Sequence, residues 1–274
     1  VLKGLPVRRG LAICPTLMTI GSMSLPQIPA SLINFAGERL DFAFHPGAPD
    51  RRELLVLGHG VTGHKDRPFL IEMAAGWAAM GLNVLRFSWS GNGESEGDFA
   101  ASNITKEVAD LDAVLTQLTA AGFVIVYVGH SMGGAVGVTR AAQDSRIRLL
   151  VSLSGIVHPR SFAESAFGHL VAGEGLMFDK PGLVLPEAYM ADLRGIDSVI
   201  DHIDRITMPW LLIHGTADNV VPIQDSRDAY ARATGDKTFV ALPGADHLFA
   251  PDAIPQVVET VGQWCLKRFD GAVI

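Results

Sequence analysis

Residues 123–128 read Phe-Val-Ile-Val-Tyr-Val and run without a break into Gly129-His130-Ser131-Met132-Gly133. Six apolar residues in a row, mostly β-branched or aromatic, have the length and composition of a strand buried on both faces. Ala135-Val136-Gly137-Val138 and the residues after them read as a helix. A serine therefore sits on a sharp strand-to-helix turn with a glycine two residues to either side, the G-x-S-x-G pattern. So tight a turn excludes larger side chains and makes Ser131 stand clear of the backbone. A chain that carries it is committed to an α/β sheet with an exposed hydroxyl at one edge.

The remaining segments fit that frame. Ser31 to Phe35 and Arg39 to Phe44 read as a hairpin turned at Ala36-Gly37-Glu38. Leu54 to Leu57, Leu82 to Phe87, Leu149 to Leu153, Trp210 to Ile213 and Thr238 to Leu242 read as further strands. Helical periodicity covers Phe69 to Met80, Ile104 to Ala121 (capped by Ser102 or Asn103) and Val257 to Phe269. Alternation of the two predicts an α/β fold: a mostly parallel central sheet with an antiparallel start and helices on both faces. Gly155 to Ile206 is too long for a single crossover. It is read as a small helical cap, about residues 156–206, over the C-terminal edge of the sheet.

With 274 residues, 48% of them hydrophobic, the chain can bury a large core as one domain, expected over 26–274. Its net charge of −7 argues against a nucleic-acid partner. The lack of any apolar run of about 18 residues argues against membrane insertion. Two cysteines, Cys14 and Cys265, without metal-binding spacing predict neither a disulfide framework nor a metal site. Residues 1–25 faintly resemble a signal peptide, basic at Arg8-Arg9 and then apolar, but Pro15 interrupts the apolar part and a small-x-small cleavage site is missing. They are expected to be a disordered or vector-derived extension, and the location cytoplasmic. Oligomeric state is left open.

A serine hydroxyl needs a base within hydrogen-bond reach, and the base needs an orienting carboxylate. Ligands of open α/β sheets bind beyond the carboxyl ends of the strands, so the partners are sought there. Asp218 lies in the loop leaving Trp210 to Ile213, and His247 in the loop leaving Thr238 to Leu242. The order Ser131, Asp218, His247 follows.

In that order, and in Gly58-His59-Gly60, Gly129-His130-Ser131-Met132-Gly133, His214-Gly215-Thr216-Ala217-Asp218 and Gly244-Ala245-Asp246-His247, the chain resembles the α/β-hydrolase family over roughly residues 30–270. His59 to Lys65 and Ser90 to Ser95 resemble small esterases of the cinnamoyl and feruloyl type, with Val61 where that subgroup often carries Phe. The resemblance implies an α/β-hydrolase fold and a catalytic set of Ser131 as nucleophile, His247 as base and Asp218 as its orienting acid. The N–H groups of Val61 and Met132 would form the oxyanion hole, with Gly60 allowing close approach. Cleavage of a small-molecule carboxylic ester (short, medium or aromatic acyl) through an acyl-enzyme would follow, with no cofactor and no metal. Thioester, amide or carbon–carbon hydrolysis on the same residues is the alternative, and a ligand-binding protein on the same fold a third reading. Phe162, Phe167, Met177, Phe178 and Tyr189 of the cap are expected to line the substrate pocket. His59 and His214 are read as structural, and His130 as packing at the elbow with its side chain pointing away. Asp225 is the reserve acid, and Asp246 is disfavoured because adjacent loop residues rarely face each other. Gly91 to Gly97 is read as a loop at the mouth of the site, since its glycine spacing and Glu94 and Glu96 suit no dinucleotide.

Overall fold

The apolar runs become strands in the computed structural model, which describes residues 25–250 and 252–271. The readings of residues 1–24, Cys14 among them, lie outside it. In chain order the strands are β1 (Leu32–Ile33), β2 (Arg39–Leu40), β3 (Phe42–His45), β4 (Glu53–Gly58), β5 (Asn83–Phe87), β6 (Val124–His130), β7 (Ile147–Leu153), β8 (Trp210–Gly215) and β9 (Lys237–Leu242). The last seven form one sheet in the order β3-β5-β4-β6-β7-β8-β9. β3 runs antiparallel to β5, and all other neighbours are parallel. The hairpin expected over 31–44 is broken. β1 and β2 pair with each other, but the second arm divides at Asp41 and β3 joins the main sheet. The backbone of Asp41 explains the break: its N–H donates to Ser95 Oγ at 2.8 Å and its carbonyl accepts from Ser88 N at 2.9 Å.

The helices are α1 (Pro68–Ala79), α2 (Ile104–Ala120), α3 (Met132–Ala141), α4 (Pro159–Phe167), α5 (Glu187–Ile196), α6 (Ile223–Arg232) and α7 (Ile254–Phe269). Asn103 caps α2, its side chain accepting from Lys106 N at 2.8 Å. α6 falls in a stretch for which the apolar pattern predicts nothing, because little more than Ala229 and Ser226 is buried between polar residues.

Strict alternation along the strands builds two cores. Leu54 and Val56, Ile125 and Tyr127, and Trp210 and Leu212 face the side that holds α2, α3 and the 156–206 segment. Leu55 and Leu57, Val126 and Val128, and Leu211 and Ile213 face the side that holds α1 and α7. A parallel sheet covered on both faces needs apolar residues at every position, and so these strands read as unbroken runs. Because β4, β6, β8 and β9 are parallel, the residues that follow them emerge at one edge.

Candidate active site

That edge gathers residues far apart in sequence. Ser131 follows β6 with φ 55° and ψ −118°, a conformation disfavoured for any residue with a Cβ. The surrounding bonds hold it there: Ser131 N donates to Leu153 O, and Ser131 O accepts from Gly134 N and Ile156 N, all within 2.9–3.0 Å. A Cβ on Gly129 would lie 2.2 Å from Gly133 O, so only glycine lets the turn close on itself. Beneath the elbow, the buried Tyr127 hydroxyl donates to Gly133 O at 2.9 Å.

His247, in the loop after β9, bonds Asp218 Oδ2 through Nδ1 at 2.8 Å. Asp218, in the loop after β8, has no exposed side-chain surface. Its Oδ1 accepts from Val220 N and Val221 N, both at 2.9 Å. Its Oδ2 also lies 3.3 Å from His214 Nε2. Burial alone would raise this carboxyl's pKa; the bonds from His214 and His247 outweigh it and hold the group well below the usual carboxylate range. The acid is thus an anion aimed at Nδ1, which leaves Nε2 of His247 free to act as base. His214 is itself fixed by Ser226 Oγ at 2.7 Å and Val221 O at 3.0 Å.

Asp225 and Asp246 are occupied elsewhere. Asp225 accepts from Val157 N and His158 N, anchoring the start of the segment between β7 and β8. Asp246 accepts from Leu248 N and Ala250 N, shaping the turn that follows His247. A second serine–histidine–aspartate contact joins Ser198, His158 and Asp228. There the hydroxyl donates to Val157 O and accepts from Ile200 N, so it braces a turn.

A cavity of ≈270 Å³ opens over Ser131 and His247. Its floor and one wall come from the loop after β4, with Gly60, Val61, Thr62 and Gly63. A Cβ on Gly60 would sit 2.7 Å from Ser131 Cβ, so glycine is what permits that approach. Met132 opens α3, where a first-turn N–H has no acceptor inside its own helix. His59 accepts from Trp89 N through Nε2 at 3.1 Å and bonds Gly60 O through Nδ1 at 2.7 Å, locking the loop. Burial pulls its pKa down to about 4.

His130 departs from expectation. Its ring turns toward the cavity, 4.8 Å from the His247 ring, and its Nε2 bonds His247 O at 2.9 Å. Burial, then the neighbouring His247, takes it down to about 3. It is therefore a neutral brace under the His247 ring.

Of the aromatic and sulfur side chains assigned to the pocket, Phe178 lines it. Phe167, Met177 and Tyr189 are buried in the core between the 156–206 segment and the sheet, and Phe162 borders a separate hollow with Asp218. The Tyr189 hydroxyl donates to Met132 Sδ at 2.9 Å, and the Phe178 ring stands edge-on to Phe167 at 5.1 Å. These side chains support the wall from behind. The wall is a flap over 173–185, closed by Gly173 N to Leu185 O, Leu185 N to Gly175 O and Met177 N to Leu183 O, each 2.8 Å. Its tip holds Phe178 and Asp179 in left-handed backbone, φ 52° and 54°.

Two cations were not anticipated. Arg67, just before α1, and Lys180, at the flap tip, both line the cavity. Lys180 Nζ donates to Thr62 Oγ1 at 3.3 Å. Burial, then the charge of Arg67, lowers its pKa below that of an ordinary lysine. No sequence signal marks either residue, since Arg67 is one of several charges in His64-Lys65-Asp66-Arg67 and Lys180 is a single base in a loop. Among the described residues no group of His, Cys, Asp and Glu is arranged to hold a metal ion.

Residues 49–177 and 181–252 match the protein family described as serine aminopeptidase, S33. The chain belongs to this S33 family. It is 25% identical over 282 residues to human monoglyceride lipase, across 86% of this chain and 90% of that one. It is 29% identical over 219 residues to an uncharacterized protein, YfhR, of Salmonella typhi, across 74% and 68%. The structure of Est1E from Butyrivibrio proteoclasticus with bound ferulic acid superposes with a TM-score of 0.76 at 25% identity, covering 89% of this chain and all of that one. The S33 chain thus has the α/β-hydrolase fold and resembles feruloyl-type esterases.

Proposed function

We propose that this S33 protein hydrolyses carboxylic esters with short, medium or aromatic acyl groups through an acyl-enzyme. One observation carries the reading: a strained, cavity-facing serine shares its cavity with an imidazole whose Nδ1 is held by a buried, ionised aspartate. Ser131 Oγ attacks the ester carbon as its proton passes to His247 Nε2. The resulting oxyanion is held by the N–H groups of Val61 and Met132. Collapse breaks the bond to the alkoxide, which takes the proton from His247 and leaves as alcohol. Water then attacks the acyl-enzyme, giving its proton to His247, and the acid departs as Ser131 recovers the proton. Asp218 stays ionised throughout and stabilises the imidazolium. Among the described residues no hydrogen bond joins Ser131 Oγ to His247, the looser spacing common before substrate binds. The ester chemistry named for monoglyceride lipase and the ferulic acid seen in Est1E support this reading.

The family description favours a second reading, hydrolysis of an N-terminal peptide bond. Such a substrate brings an ammonium group into the cavity. The cavity's carboxylate, Asp246, is engaged by backbone N–H groups, while Arg67 and Lys180 would repel the ammonium. Assay of purified protein against 4-nitrophenyl butyrate, methyl ferulate, a butyryl thioester and amino-acid 4-nitroanilides decides between them. Turnover of esters with anilides at least about 100-fold slower is expected. Faster turnover of anilides would replace the first reading with the second.

A further inference from the structure

Resting on the esterase reading, we propose that the physiological ester carries an anionic group, a carboxylate or phosphate, seated between Arg67 and Lys180. Both side chains border the catalytic cavity and also an adjoining hollow of ≈450 Å³, which they share with Thr62, Gly63, His64 and Asn92. The pair thus stands at the junction of the two spaces, where a substituent extending beyond the reacting ester would lie. Neither residue forms an ion pair among the described residues, although the basic side chains around them do. Lys65 is paired with Asp41 and Asp66, and Arg86 with Asp66. Asp179 adjoins Lys180 in the chain, yet among the described residues it forms an ion pair with neither cation, and Lys180 Nζ turns to Thr62 Oγ1 instead. Asp246 of the same cavity accepts from Leu248 N and Ala250 N and pairs with neither cation, so two partly buried cations that repel each other, in a chain of net charge −7, are what an anionic ligand would relieve. Lys180 is also held in place, by Thr62 Oγ1 on the loop that carries Val61. Between its two matched stretches the family match leaves out residues 178–180, so Lys180 belongs to a tip outside the shared S33 pattern. A residue in that position sets what is admitted and leaves the shared chemistry as it is.

The test compares two matched pairs: monomethyl adipate with methyl hexanoate, and 1-butyrylglycerol 3-phosphate with 1-butyrylglycerol. The wild type is expected to favour the anionic member of at least one pair by about tenfold in kcat/KM. The pair that shows it separates carboxylate from phosphate. In Arg67→Gln/Lys180→Gln, with its fold checked by circular dichroism, that ratio should fall by about tenfold or more. Calorimetric titration with adipate and with glycerol 3-phosphate gives a readout independent of turnover, and binding should be lost in the same variant. Preference for the neutral member of both pairs, with neither anion bound, overturns the proposal and leaves the esterase reading intact. Failure to cleave any of the four esters, with anion binding that the variant loses, overturns the esterase reading and keeps the anion site.

Discussion

Ser131 occupies a backbone conformation that costs on the order of 1–3 kcal/mol, held by bonds on either side of it. Ser131→Ala keeps those bonds and removes only the hydroxyl. Its kcat should fall at least about 10³-fold with thermal stability unchanged or improved. Single-turnover assay and calorimetry on the same sample check both. The three acids divide by what they hold. Asp218→Asn should lose about 10³–10⁴-fold in kcat, because an amide neither stabilises imidazolium nor selects the tautomer with Nε2 free. Asp225→Asn should instead lower the melting temperature with a far smaller effect on kcat, since its carboxylate ties the N–H groups of Val157 and His158. Severe loss of kcat in a stable Asp225→Asn would exchange their roles. The acid limb of the pH–kcat/KM profile should fall no more steeply than tenfold per pH unit above about pH 5, the slope of a single proton. His59 and His130, held down at about 4 and about 3, stay neutral over that range and add no second slope. A limb of slope two would show that one of them titrates with the base.

At the scale of elements, the places of the proposed site residues are legible in the sequence and their support is not. Ser131, Asp218 and His247 each follow an apolar run by a few residues, so local pattern and the parallel-sheet rule locate them. Tyr127 and His214 lie inside such runs, and their partners, Gly133 and Asp218, are apparent only once the backbone has turned. The 156–206 segment departs from expectation in one respect. Apolar side chains announce burial, not which side they bury against, so Phe167, Met177 and Tyr189 could equally be core, and the structure packs them there. Phe178, 42% exposed beside them, is the exception because its left-handed backbone turns it out of the core. Replacing 162–189 with a linker would therefore strip the core. Replacing 178–182 alone with Gly-Ser-Gly should leave folding intact and change relative kcat/KM among esters by about tenfold. An unchanged selectivity profile in that folded variant would reduce the tip to decoration. Tyr127→Phe should cost about 1 kcal/mol in chemical denaturation, as it removes a buried hydrogen bond to the Gly133 carbonyl.

For the whole molecule, acid and alkali act on stability through different buried carboxyls. Burial, then the neighbouring Asp110, pushes Glu107 well above its ordinary 4.5, and its Oε2 has no hydrogen-bond partner. Above pH 4.5 the unfolded chain releases that proton while the folded chain keeps it, so Glu107 erodes stability as pH rises from there toward its folded pKa. Asp218 has the opposite sign. Its depressed folded pKa contributes stability above the unfolded aspartate's ordinary 3.8, and this is lost as pH falls below it. Glu107→Gln should therefore melt higher than wild type at pH 7–8, with the gap closing as pH approaches 4.5. A gap of constant size across that range would mean that Glu107 does not change protonation on unfolding.

The flap over 173–185 has a consequence for how such a protein acquires new substrates. Its base is closed by its own backbone bonds, and its tip of Phe178, Asp179 and Lys180 falls outside the stretches shared with the family. Side-chain changes there break none of the backbone bonds that close the flap, and among the described residues no hydrogen bond joins the tip to Ser131 or His247. Selection can therefore try charge and shape at three adjacent codons while inheriting the reaction unchanged. Divergence among relatives should accumulate first at that tip, and a laboratory library confined to it should recover altered substrate preference more often than one spread over the sheet.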